Sequence, residues 1–221
     1  MSSSKSSSKS FLKSSKSNIK VPVSKLSFTE LIQYNLKFLN GELDKTFYHG
    51  GPVDPETLPL LDKLKSINSL GFFTIAGQPS LCEGPTFISK TKKVNGKTEG
   101  NFYYKSEQKS YLIGFIEKSE STKKLLLYLH KNDKVHISIS NKDGKYISNF
   151  PGRYNVTRES TRTSEDKSWS KWRLYTNIQN EHSFDDNDIK GLKDCLMITI
   201  AVKNYCEDSV EDILLNYYNT L

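Results

Sequence analysis

Apolar positions along this chain alternate between two rhythms, one helical and one extended. Leu31, Ile32, Tyr34, Asn35, Phe38 and Leu39 recur at helical spacing. Ser27 and Glu30 precede them as a capping-box pair, so an amphipathic helix of about a dozen residues ends near Gly41. A second stripe, Leu58, Leu61, Leu64 and Ile67, follows Asp54 and Pro55, which suit a helix start, and Gly71 suits its end. The run GFFTIAGQPS (71–80) then reads as a buried strand over residues 72–76 that stops in a polar loop, Gly77 to Ser80.

Farther along, residues 83–100 read as loop or an exposed hairpin, and residues 101–104 and 111–116 as strands. Ser119 or Ser121 caps a helix carrying Leu125, Leu126 and Leu129. Val135, Ile137 and Ile139 alternate with polar residues, as in a half-buried strand. Asp143-Gly144 is a hairpin signal. Residues 149–171 are polar and predict a long loop, whereas residues 172–178 and 195–203 read as strands. Val210, Ile213, Leu214, Tyr217 and Tyr218 mark a last helix with Ser209 and Asp212 at its start. Interleaved helices and strands predict an α/β or α+β fold, one domain over residues 26–221 with a mixed sheet flanked by helices.

Charge changes the picture mainly at the N-terminus. Residues 1–25 hold eleven Ser and six Lys with no acid, too few apolar groups to offset ordering entropy, so a disordered basic tail is predicted. Those lysines carry most of the net charge of +7. The remainder is uneven, with +10 over residues 86–173 and −6 over residues 174–221. That segment either offers a basic face to a partner or is offset by the acidic segments in the fold. With 28 Lys against 4 Arg, the chain suits loose polyanion contact better than base readout.

Three cysteines, Cys82, Cys195 and Cys206, form an odd set without CxxC spacing; neither a disulfide framework nor a zinc site follows. No apolar run is long enough to span a membrane, and no signal sequence is visible, so an intracellular, soluble protein without membrane contact is expected.

Four segments occur in an order that matches a known pattern: FYHGGPVDPET (47–57), LLDKLKSINSLGFFT (60–74), AGQPS (76–80) and QKSYLIGFI (108–116). They resemble an uncharacterised domain family of actinobacteria and their phages, with its GPVD segment, LxxLNxxGFxT unit, SQPG-like loop and QxxxVxGF strand. The match covers residues 26–140; residues 141–221 are then a C-terminal completion. The Ser/Lys tail and low-GC residue usage resemble proteins of large DNA viruses of amoebae, which implies host cytoplasm or virion. Where family members more often have Ser before Gln and Gly after Pro, this chain has Gly77 and Ser80. The resemblance implies no activity.

The candidate chemistry gathers at two loops. If strand 72–76 is internal to an open sheet, Gln78 and Ser80 lie beyond its carboxyl end, the side where ligands collect. Gln78 offers both a donor and an acceptor, Ser80 a hydroxyl, and Thr74 faces away from Phe73 and Ile75. A short helix-to-strand connection brings the Tyr48-His49-Gly50-Gly51 segment near the same end. The expected binding residues are therefore Tyr48, His49, Gly51, Thr74, Gln78, Ser80 and Gln108.

His49 is the one candidate catalytic group, as acid, base or ligand; a Cys82–His49–Asp54 arrangement has no local signature. His130, His136 and His182 lack metal-ligand spacing, so no metal and no cofactor is expected. Trp169, Trp172, Arg173 and Tyr175 read as a strand with two faces rather than a stacking surface for single-stranded nucleic acid. Three readings stay open. These are a non-catalytic binding or accessory module for a small ligand or protein, an enzyme using His49, and a virion-associated or polyanion-binding protein acting through its tail.

Overall fold

The computed structural model describes residues 22–88, 92–94, 97–99, 102–141, 146–148, 154–163, 168, 170–171, 173–177 and 189–221. The predicted tail lies outside them up to residue 21, and Val23–Lys25 already form a 3-10 turn.

The first helix, α1 (Phe28–Leu39), starts at Ser27 with both halves of the expected capping box in place. The second prediction is corrected. Pro55–Leu60 form a 3-10 segment and only Leu61–Ser69 (α2) is α-helical; Asp54 makes no side-chain cap, and Leu58 is exposed. Pro59 lacks an amide hydrogen and cannot continue a regular α-helix, which explains the break. Gly71, at φ +91°, then turns the chain into the first strand.

Eleven strands are described: β1 (Phe72–Gln78), β2 (Leu81–Ile88), β3 (Lys92–Val94), β4 (Lys97–Glu99), β5 (Phe102–Gln108), β6 (Tyr111–Glu117), β7 (Val135–Asn141), β8 (Tyr146–Ser148), β9 (Asn155–Thr163), β10 (Arg173–Asn177) and β11 (Cys195–Val202). Helix α3 (Glu120–Lys131), capped by Ser119, joins β6 to β7, and α4 (Val210–Tyr218), capped by Ser209, follows β11. The strands form a five-stranded sheet, β1-β6-β11-β7-β8, and a four-stranded one, β10-β9-β5-β2, with β3-β4 as a separate hairpin. Every described pairing is antiparallel. The fold is thus α+β, and the expected mixed sheet is two antiparallel sheets.

Side-chain alternation divides the larger sheet. Phe72, Leu112, Ile116, Ile198 and Ile200 pack with α2, α3 and α4, while Phe73, Phe115 and Met197 pack on the opposite face with Phe28, Leu31 and Ile32 of α1. Phe38 and Leu39 at the other end of α1 join the first cluster, so this helix straddles the sheet edge made by β1. Gly114 faces β1 closely enough that a Cβ would overlap the Phe72 ring and the Phe73 carbonyl.

The GQPS segment is not a loop at a strand's end. Gln78 is the last residue of β1 and pairs with Tyr111, and Leu81 opens β2 opposite Gln108. One antiparallel ribbon, β1-β2 against β6-β5, therefore passes from one sheet into the other and bends at Pro79-Ser80 and Lys109-Ser110. Because β1 is an edge strand of an antiparallel sheet, the rule for carboxyl ends of parallel strands does not govern this place.

Two more expectations change. The polar stretch 149–171 contains β9, which lies between β5 and β10. Residues 83–100 contain most of β2 as well as the β3-β4 hairpin. Trp169, Trp172, Asp143-Gly144 and His182 lie outside the described residues.

The cysteine reading is also corrected: Cys82 of β2 and Cys206, in the turn before α4, form a disulfide across 124 residues of sequence. Nothing in their spacing announces it, because the pairing is made by the tertiary fold. Cys195 is free and buried, with burial pushing its thiol up to about 12. Near the disulfide, Lys109 is buried with its ammonium over the rings of Tyr154 (4.4 Å) and Tyr205 (4.7 Å). Among the described residues no helix is long and apolar enough to cross a membrane.

Candidate binding pocket

A cavity of about 200 Å³ opens where α1, the 47–57 segment and β1 meet. Tyr48, His49, Thr74 and Gly77 line it, as do Asp54, Glu56 and Tyr111. The Tyr48–His49 segment and the Thr74–Gly77 part of β1 are neighbours here, because α1 and α2 pack on each other and on β1.

Beneath the cavity is a buried polar cluster. Among the described residues edge strand β1 has no strand beyond it, and at Thr74 two asparagines take that role. The Asn35 amide donates to the Thr74 carbonyl at 2.9 Å, and the Thr74 amide donates to Asn68 Oδ1 at 3.2 Å. Asn35 also donates to Asn68 Oδ1 (2.8 Å), while Asn68 donates to the Thr74 hydroxyl (2.7 Å) and the Leu64 carbonyl (2.8 Å). The Tyr48 hydroxyl completes the set by donating to Asn35 Oδ1. Asn35 and Asn68 are fully buried. A fully satisfied buried network is rigid, because each unpaired member would cost desolvation energy.

Tyr48 is further fixed by ring contacts with Phe38 (6.3 Å), Phe47 (5.1 Å) and Phe73 (5.7 Å). Burial raises its phenol well above the ordinary value, and burial followed by the nearby Glu56 charge raises Tyr111. Both rings therefore stay neutral at physiological pH. His49 Nε2 is 2.8 Å from the Pro52 carbonyl and 4.0 Å from Asp54 Oδ2, and its ring lies 5.5 Å from that of Phe38.

Other predicted residues are elsewhere. Gly51 does not line the cavity. Gln78 donates to the Lys109 carbonyl (3.2 Å), Gln108 to the Pro79 carbonyl (3.1 Å) and Ser80 to the Gln108 carbonyl (3.4 Å). All three brace the bend between the sheets. Cys82 is tied to Cys206, so the Cys82–His49–Asp54 arrangement is not assembled. Cys82, Cys206 and Glu107 bring ligand atoms within 4.8 Å of one another, but the sulfurs are bonded and Glu107 accepts from Arg158 at 2.7 Å.

Sequence reasoning missed Asn35 and Asn68 as site-forming groups. Their signal was present: an amide beside each apolar stripe, one of them three residues before Gly71, which precedes β1. Tyr111 and Glu56 carried no such mark and are gathered by topology alone.

Two wider clefts compete. One, of about 520 Å³, lies between α1, the end of α2 and the start of α3. Two of its hydroxyls are occupied in capping: Ser119 accepts from the Thr122 amide (3.1 Å), and Thr122 donates to the Glu117 carbonyl (2.6 Å), whereas the Tyr217 hydroxyl is buried with no hydrogen-bond partner among the described residues. The other is a broad depression whose charges pair off, Lys63 with Asp212 at 2.8 Å and Lys134 with Asp208 at 2.5 Å. Neither family models nor curated proteins yield a match to this chain.

Proposed function

We propose that this chain is a non-catalytic binding or accessory module whose ligand pocket lies between Tyr48–His49 and Thr74–Gly77. The observation that carries the reading is the buried Asn35–Asn68–Thr74–Tyr48 network, whose members Tyr48 and Thr74 line the cavity. It holds the pocket wall in one conformation before any ligand arrives, which lowers the ordering cost of binding. Among the described residues no Ser, Cys or Lys lines the cavity beside His49, so binding needs fewer assumptions here than turnover.

The resemblance to the actinobacterial and phage domain family, and the Ser/Lys tail, support a viral accessory role. An exposed disulfide favours the virion over a reducing host cytoplasm. The tail lysines would add non-specific polyanion contact in that setting.

The test is a fragment screen by amide chemical shifts on the full chain. Fragments should perturb Tyr48, His49, Ile75, Ala76 and Tyr111 together, and Ala76→Phe, which fills the cavity, should abolish the effect. Binding that survives Ala76→Phe unchanged would contradict the reading. An enzyme acting through His49 would instead lose turnover on His49→Ala while keeping its fold.

A further inference from the structure

The chemistry of the cavity points to the charge of its occupant, on the basis of the pocket reading above. The chain holds 28 Lys and 4 Arg, yet none of the described residues lining this cavity is Lys or Arg. Its charged side chains are Asp54 and Glu56, both exposed at the mouth. The interior offers aromatic surface instead, from Phe38, Tyr48 and Tyr111.

The donors of the buried cluster beside the cavity are already committed, and the Thr57 and Tyr111 hydroxyls that also line it carry no charge to hold an anion. The side-chain amides of Asn35 and Asn68 are spent on Thr74, on each other and on the Leu64 carbonyl, and the Tyr48 hydroxyl on Asn35. What Tyr48 presents to the cavity is therefore its ring. An aromatic face attracts a cation through its quadrupole, more strongly where water is excluded. Carboxylates at the entrance add long-range attraction for the same sign of charge. The space, about 200 Å³, exceeds the ~150 Å³ cavity known to accept a benzene-sized guest.

We infer that the pocket binds an organic cation, an ammonium group on a short apolar stem. Such a group comes from two sources, a free small amine or a lysine side chain of a partner. A neutral molecule of the same shape fills the cavity but forfeits the attraction of the rings and carboxylates. A carboxylate of similar size meets repulsion from Asp54 and Glu56.

The experiment titrates the full-length protein with choline, with its neutral isostere 3,3-dimethylbutan-1-ol, with butyrate, and with Nα-acetyl-lysine-N-methylamide. Amide shifts and calorimetry are read in parallel. The expected result is cation binding mapped to Tyr48, His49, Ala76 and Tyr111, at least tenfold tighter than the alcohol. Double substitution Asp54→Asn and Glu56→Gln, at exposed positions that leave the core untouched, should weaken the cation severalfold and the alcohol little. Choline binding without the lysine derivative assigns a free amine, and tighter binding of the lysine derivative assigns a partner's side chain. If butyrate or the alcohol perturbs the same amides as strongly as the cations, the charge assignment falls and the pocket stands. Silence of every probe at these amides, with the fragment screen also silent there, overturns both.

Discussion

Asn68 illustrates how one buried side chain sets stability and holds Thr74, a residue of the pocket wall, in place. Its carbonyl oxygen accepts from Asn35 and from the Thr74 amide, and its own amide reaches Leu64 and Thr74. Asn68→Ala leaves buried partners unsatisfied, at a cost of about 1–3 kcal/mol for each lost group. A fall in the unfolding midpoint of several degrees is expected by calorimetry. Glu211 shows the opposite case. It is fully buried, Ser110 donates to its Oε2 at 3.1 Å, and its Oε1 has no hydrogen-bond partner among the described residues. Burial, its largest influence, raises its pKa above the ordinary 4.5. The folded state therefore holds more protons than the unfolded chain between that value and the raised one. Stability should decline as pH rises through this window and then level off. Glu211→Gln should remove that slope and raise the midpoint at pH 7; midpoints measured from pH 4 to 8 check both.

At the scale of elements, the bend at Pro79-Ser80 joins the sheets. Gln78→Ala removes the bond to the Lys109 carbonyl, and a loss of about 1 kcal/mol would lower the midpoint by roughly 2–4 °C while leaving pocket binding intact. An unchanged midpoint would show that Gln78 does not brace the bend. Helices α1, α3 and α4 were legible in sequence because their caps and apolar stripes agree locally. Strand β9 was not, since Val156 is its sole buried apolar residue and Ser160 its other fully inward one. Its neighbours on both sides, not its composition, make it a strand. The continuation of β1 through Gly77 and Gln78 was hidden likewise, because those residues pair with Leu112 and Tyr111 rather than obeying a local preference.

For the whole molecule, several links besides the shared ribbon hold the smaller sheet to the larger. The Cys82–Cys206 disulfide is one; the Tyr154 hydroxyl, donating to the Val202 carbonyl, is another. Closing a loop of this length constrains the unfolded chain by on the order of 5 kcal/mol. Reduction should lower the midpoint by roughly 10 °C on the same scale, with Cys195 unreactive toward thiol reagents until the protein unfolds; an unaltered midpoint would mean the link adds no stability. Of the expected binding residues, Tyr48, His49 and Thr74 line the cavity, and these could be read from the sequence because a short helix-to-strand connection brings their segments together. The acidic mouth and Tyr111 required knowing that β6 pairs with β1.

The most direct measurement is a crystallographic fragment soak of the intact chain. The account predicts density between Tyr48, Thr74 and Tyr111, with the Asn35–Asn68 network unmoved. Fragments that leave that cavity empty and gather in the wider cleft by Gly71, Ser119 and Tyr217 would contradict it.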